Sequence, residues 1–83
     1  MVDIIPLQML QPGQEAHVDQ LLGAPDDVQR LHEMGLQPGA WVEMVQQDDA
    51  CIVKLLASTV CLRGASMFQV MVRPGSAELG AGQ

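Results

Sequence analysis

Apolar positions recur along this chain with two different spacings, and the switches between them mark its elements. Within residues 26–34, Val28, Leu31 and Met34 stand three apart, one stripe of a short helix. Asp26 and Asp27 place negative charge where a helix N-terminus favours it. Gly35 falls where a residue in the left-handed region closes a helix without a Cβ clash. Pro38-Gly39 fits a type II turn, with proline fixing the first central φ and glycine taking positive φ at the second. Leu36, caught between the two devices, reads as an anchor tucked under the helix. Residues 30–42 therefore form a helix-to-strand corner, and the rest of the chain is arranged around it.

Elsewhere the period is two. Residues 15–22 read as a first strand with Ala16 and Val18 inward and His17 and Asp19 outward. After the corner, residues 41–47 alternate, with Val42 and Met44 on one face and Trp41, Glu43 and Val45 on the other. Residues 51–56 and 59–64 are joined by Ala57-Ser58, a two-residue hairpin length. Direct opposition pairs Val53 with Leu62 and Leu55 with Val60, so one face holds Cys51, Val53, Leu55, Val60 and Leu62. The other face holds Ile52, Lys54, Leu56, Thr59, Cys61 and Arg63. A slip of one residue would turn Lys54 into the core, which supports this assignment of faces. Residues 64–67 fit a single helical turn, and Phe68, Val70 and Val72 open a last strand that Pro74 ends. Leu-Gln-Pro-Gly occurs at residues 10–13 and again 26 positions later, each time reading as a turn that starts a strand. That is too little likeness for a repeat architecture. The layout is a lead-in over residues 1–6, one domain over 7–73 and a disordered tail over 74–83. It is mainly β: five short strands that curl and close to remove their edges, with one helix after the first strand.

The corner also carries a family resemblance. From Leu31 to Val42 the chain reads L-x-x-M-G-L-x-P-G-x-x-V, which resembles the signature of the ferrous iron transport protein A (FeoA) family. The likeness continues at Val60-Cys61-Leu62-Arg63, Ala65, Phe68, Val70 and Val72, and covers residues 7–73. The resemblance implies a small SH3-like barrel. It also implies a partner: the cytoplasmic, G-protein-containing face of a bacterial ferrous iron transporter, a GTPase-permease.

Composition narrows the chemistry. Ten acids against four Lys/Arg give a net charge of −6, which disfavours a phosphate backbone as partner. The shortage of aromatics removes the stacking platforms that single-stranded nucleic acid needs. The longest nearly apolar run, residues 51–62, falls short of the ~20 residues that span a bilayer, and the start has no signal-peptide pattern. A cytoplasmic protein without membrane insertion is expected, with a weak homo-oligomer left open. In the hairpin register Cys51 points inward and Cys61 outward across from Lys54, so two free thiols are expected. A cation beside Cys61 is one ground for reactivity, but an incidental surface thiol is the favoured reading. His17, His32 and the acids show none of the tight ligand pairs that announce a metal site. Neither a P-loop nor a nucleophile motif is present. No catalytic residue, cofactor or dedicated metal site is expected.

A surplus of apolar residues remains. With 48% apolar content in so small a domain, residues outside the core alternation read as a docking patch. The candidate contacts are Leu31, Met34, Leu36 and Trp41 around the corner, with Ile52 and Leu56 on the hairpin. The expected function is a non-enzymatic adaptor that regulates ferrous iron uptake. The alternative is a metal-sensing module like the C-terminal SH3-like domain of metal-dependent repressors, binding metal through His17 or His32.

Overall fold

The structure, a computed structural model, describes residues 3–74. In chain order it contains β1 (Ile5–Pro6), β2 (Glu15–Leu21), α1 (Pro25–Glu33), β3 (Trp41–Gln47), β4 (Ala50–Lys54), β5 (Thr59–Arg63) and β6 (Val70–Pro74). Short 3-10 turns cover Leu7–Met9 and Gly64–Phe68. The strands form one antiparallel sheet in the order β1-β6-β2-β3-β4-β5. The five longer strands alternate inward and outward over most of their length, and the inward set (Ala16, Val18, Val42, Met44, Val53, Val72) is fully buried. A single sheet that buries one face of nearly every strand must curl around that face. Leu7 and Leu10 from the first 3-10 turn and its cap, Leu31 from α1 and Met67 from the second 3-10 turn fill what remains.

Six strands form among the described residues where five were expected. The addition is β1, whose Ile5 and Pro6 pair with Val72 and Met71 of β6. Two residues cannot display a period of two, and proline has no N–H for a ladder, so nothing in their pattern marked a strand; an edge position tolerates both features. Pro74 lies within β6 opposite Ala16, and residues 75–83 of the expected tail lie outside the described residues. Phe68 belongs to the 3-10 turn and is 54% exposed, so the last strand starts at Val70.

The corner forms as its residues dictate. Pro25 opens α1 at its first position, and Asp26 and Asp27 occupy its first turn. At the other end, Gly35 takes φ +99°, its N–H donates to the His32 carbonyl, and the Leu36 N–H reaches back to the Leu31 carbonyl. This is a Schellman closure. Gln37 to Ala40 then makes the expected turn, with the Ala40 N–H on the Gln37 carbonyl. Gln11 to Gln14 repeats that turn.

The two Leu-Gln-Pro-Gly segments do matching jobs. The Gly13 N–H donates to the Met44 carbonyl, while the Met44 N–H donates to Gln14. Likewise the Gly39 N–H donates to the Val18 carbonyl, and the Val18 N–H donates to Ala40. In each case a glycine and the next residue face one residue of the other strand, a bulge that requires positive φ at its first position. A local two-fold relates β2 and β3, and Leu10 and Leu36 are the two buried anchors behind it.

The hairpin keeps the expected faces but not the expected register. Val53 pairs with Val60 and Cys51 with Leu62, and the ladder ends at Lys54 opposite Thr59. The turn is thus centred on Leu56-Ala57, closed by the Leu55 N–H on the Ser58 carbonyl at 2.7 Å. A type I′ turn needs positive φ at both central residues. Among the described residues, none other than glycine has positive φ, so that turn is excluded here. The shift is two residues, which leaves every side chain on its own face; alternation is blind to it.

Cys51 sits inside on β4 and Cys61 outside on β5, both as free thiols. Burial pushes the Cys51 thiol above its ordinary 9.0, and the nearby Cys61 acts in the same direction. The folded state therefore holds a proton that the unfolded chain releases. The linked stability is complete below the ordinary thiol range and is lost as pH rises through the raised folded value. Urea midpoints followed from about pH 7 to about pH 10 should fall at the alkaline end. In Cys51→Ala that fall should flatten, and an unchanged slope would assign it to other groups.

Candidate functional site

The reversal at residues 35–40 and the tip of the β4–β5 hairpin come together at the surface. Between them lies a groove of about 220 Å³ lined by Gly35, Ala40, Trp41, Leu55, Leu56, Ala57 and Ser58. Gly35 and Ala40 belong to the corner, and Trp41 is the first residue of β3, on its outward face. The indole N–H of Trp41 donates to Glu15 Oε1 at 3.2 Å, which fixes the ring and satisfies its one polar atom. Leu56 stands at the hairpin tip with 86% of its surface exposed, the highest among the large apolar residues described. Leu55 beside it is buried, so the tip is held to the core while Leu56 projects. A projecting leucine, an aromatic face and two small corner residues make a shallow apolar seat.

Of the six residues expected to meet a partner, the structure brings Trp41 and Leu56 together. Leu31 and Leu36 must be withdrawn as contacts: they are 1% and 0% exposed, and they form the floor that fixes the corner. Their apolar character, at helical and turn spacing, was a core signal. Met34, at the end of α1, is half-buried and packs against the core. Ile52 is half-buried on the outward face of β4 opposite Cys61, and does not line the groove. Ala57, Ser58, Gly35 and Ala40 were not anticipated, because only the corrected turn places the hairpin tip beside the corner.

Other candidates carry less. The corrected register puts Lys54 opposite Thr59 and Cys61 opposite Ile52, so Cys61 no longer faces Lys54 directly across the hairpin. Among the described residues, no three of His, Cys, Asp and Glu cluster so as to hold a metal ion. A larger, more open hollow of about 580 Å³ follows α1, lined by Pro25, Val28, Gln29, His32, Glu33 and Gln37. Four of those six side chains are polar, and none of the residues expected to meet a partner lines it. Among the described residues no helix is long and apolar enough to cross a membrane.

The family model of the FeoA domain matches residues 5–74. The chain belongs to the FeoA family. Among solved structures, a FeoA crystal structure described as an iron uptake regulatory protein superposes with a TM-score of 0.79 at 28% identity, over 87% of this chain and 97% of that one. FeoA from Chlorobium tepidum gives 0.76 at 22% identity, over 84% and 70%. The IdeR protein of T. acidophilum gives 0.80 at 19% identity over 89% of this chain, which spans 35% of IdeR. A likeness at that identity shows the fold alone. No curated protein sequence matches the chain.

The fold is thus the SH3-like fold of FeoA, with six strands, and the family is linked to iron uptake. In this FeoA the signature over residues 31–42 has a structural basis. Leu31, Leu36 and Val42 are its buried residues, and Gly35 and Gly39 its positive-φ positions. The signature builds one wall of the groove; Leu56, which lies outside it, completes the other.

Proposed function

We propose that this FeoA is a non-enzymatic, cytoplasmic adaptor that docks on the cytoplasmic G-protein-containing face of a ferrous iron transporter and regulates uptake. The observation that carries the reading is the exposed Leu56 over a groove walled by Trp41, in a chain of the FeoA family. A leucine at a hairpin tip gains nothing for the fold. Against a partner it would bury apolar area, and Trp41 is a residue type that dominates such contacts. Trp41 and Leu56 are the proposed contacts, with Met34 and Ile52 at the margin.

The test is capture of the transporter's cytoplasmic domain and of the full-length transporter by this protein, with and without GTP. Leu56→Asp should leave the thermal midpoint nearly unchanged, because the side chain is exposed. It should weaken capture at least about tenfold, or ~1.4 kcal/mol. Met9→Asp, also exposed (59%) but outside the groove, should bind normally. Undiminished capture by Leu56→Asp would remove the groove from the contact. The metal-sensing alternative predicts tight stoichiometric binding of ferrous or zinc ion in calorimetry under reducing conditions.

A further inference from the structure

We propose that the open edge of β5 accepts an added strand from a partner segment in which acidic and apolar residues alternate. This rests on a different surface from the groove and does not depend on the transporter reading. Among the described residues β5 pairs with β4 alone, and it ends the sheet. Hydrogen bonding alternates along an antiparallel pair. The Leu55–Ser58 bond sets the phase, so Val60 and Leu62 turn their backbone groups toward β4. Thr59 and Cys61 therefore point theirs away, toward the edge, as does the N–H of Arg63, whose carbonyl caps the following 3-10 turn. The bonds outside helices and strands use none of those three N–H groups among the described residues. Val60 shows the same opening: it faces inward opposite the fully buried Val53, yet stays half-exposed at the rim.

Charge says what would add there. In a chain of net charge −6, Arg30 pairs with Asp27 and Arg73 with Asp19. The two other cations, Lys54 and Arg63, are exposed and make no ion pair among the described residues. Both lie on the outward face at this edge, with Lys54 opposite the short Thr59. Glu43 stands opposite Lys54 on β3 without closing an ion pair. An incoming strand would set one residue opposite each of Thr59, Cys61 and Arg63 on the outward face. Acids at the two ends of that trio would meet Arg63 and, over Thr59, Lys54. The intervening residues would turn inward and cover the Val60 rim. The fitting segment reads acid, apolar, any, apolar, acid, and the pattern is the same in either strand direction. Main-chain bonds would give the affinity and the alternate side chains the selectivity. A second copy fits worse, since it would bring Lys54 and Arg63 against their own like charges.

The test is titration of the full chain with a synthetic peptide carrying Glu-Val-Thr-Val-Glu, followed by amide shifts in NMR. A Lys-Val-Thr-Val-Lys peptide is the comparison. The acidic peptide should shift the amides of Thr59, Cys61 and Arg63 most, and the basic one should bind at least about tenfold more weakly. Lys54→Glu with Arg63→Glu should reverse that order of preference. Cys61→Pro removes an edge N–H without removing a β4 ladder bond. It should lose the acidic peptide at least about tenfold while the melting transition is retained. Shifts centred on the helix or the groove, or an unchanged preference in the charge-reversed protein, would overturn the proposal. So would concentration-dependent dimerisation through this edge in the absence of peptide.

Discussion

Replacing Leu36 by alanine should lower the stability of this FeoA by about 2–5 kcal/mol, the range for removing a fully buried leucine. The expectation is at the upper part of that range because the site cannot easily collapse. Leu36 is 0% exposed, its N–H is the outermost bond of the helix closure, and the turn at Gln37 to Ala40 follows at once. Fixed backbone on both sides keeps neighbouring atoms from moving into the void. A domain of this size has only a few kcal/mol to lose, so the variant should be partly unfolded at 37 °C. Urea unfolding followed by Trp41 fluorescence gives the value. Leu10→Ala makes the internal comparison, since Leu10 is the equally buried anchor before the related turn. A loss below about 1 kcal/mol at Leu36 would show that the corner repacks, contrary to its assignment as a rigid frame.

The contrast between Leu36 and Leu56 shows what was legible in the sequence. Local chemistry was: Pro38 fixes its φ, and Gly35 and Gly39 supply the positive φ that residues with a Cβ avoid, so helix end and turn could be placed to the residue. Faces were legible as well, because Lys54 tolerates only one side of the hairpin. Register was not, since pairing Val53 with Val60 or with Leu62 leaves the same side chains inside. That ambiguity concealed the site: with the turn centred on Ala57-Ser58, Leu56 is one more residue on a strand. Centred on Leu56-Ala57, it is the projecting tip beside Trp41. A different ambiguity made Leu31 and Leu36 look like contacts, because apolar residues around a turn serve a floor and a surface equally well until the long-range packing is known. The strand β1 was illegible for a different reason: its two residues acquire their role only from β6.

Gly35→Ala should cost more than Gly39→Ala, although both glycines have positive φ, +99° and +92°. The backbone strain is shared, roughly 1–2 kcal/mol for a residue with a Cβ in this region. What differs is the space. A Cβ at Gly39 meets nothing within 4 Å, whereas one at Gly35 lies 3.0 Å from Leu55 Cδ1. Leu55 is the buried member of the hairpin tip, so it must shift by a few tenths of an ångström into a packed core. The expected losses are about 1–2 kcal/mol at Gly39 and about 2–3 kcal/mol at Gly35, read as differences in urea midpoint. Equal losses would mean that Leu55 yields freely and that the corner and the hairpin tip are not mechanically joined. If the difference holds, the consequence reaches the groove, because Leu55 carries Leu56. Gly35→Ala should then weaken transporter capture even at temperatures where the protein is fully folded, while Gly39→Ala should not. That separation would distinguish a groove whose shape is set by the corner from a tip that acts alone.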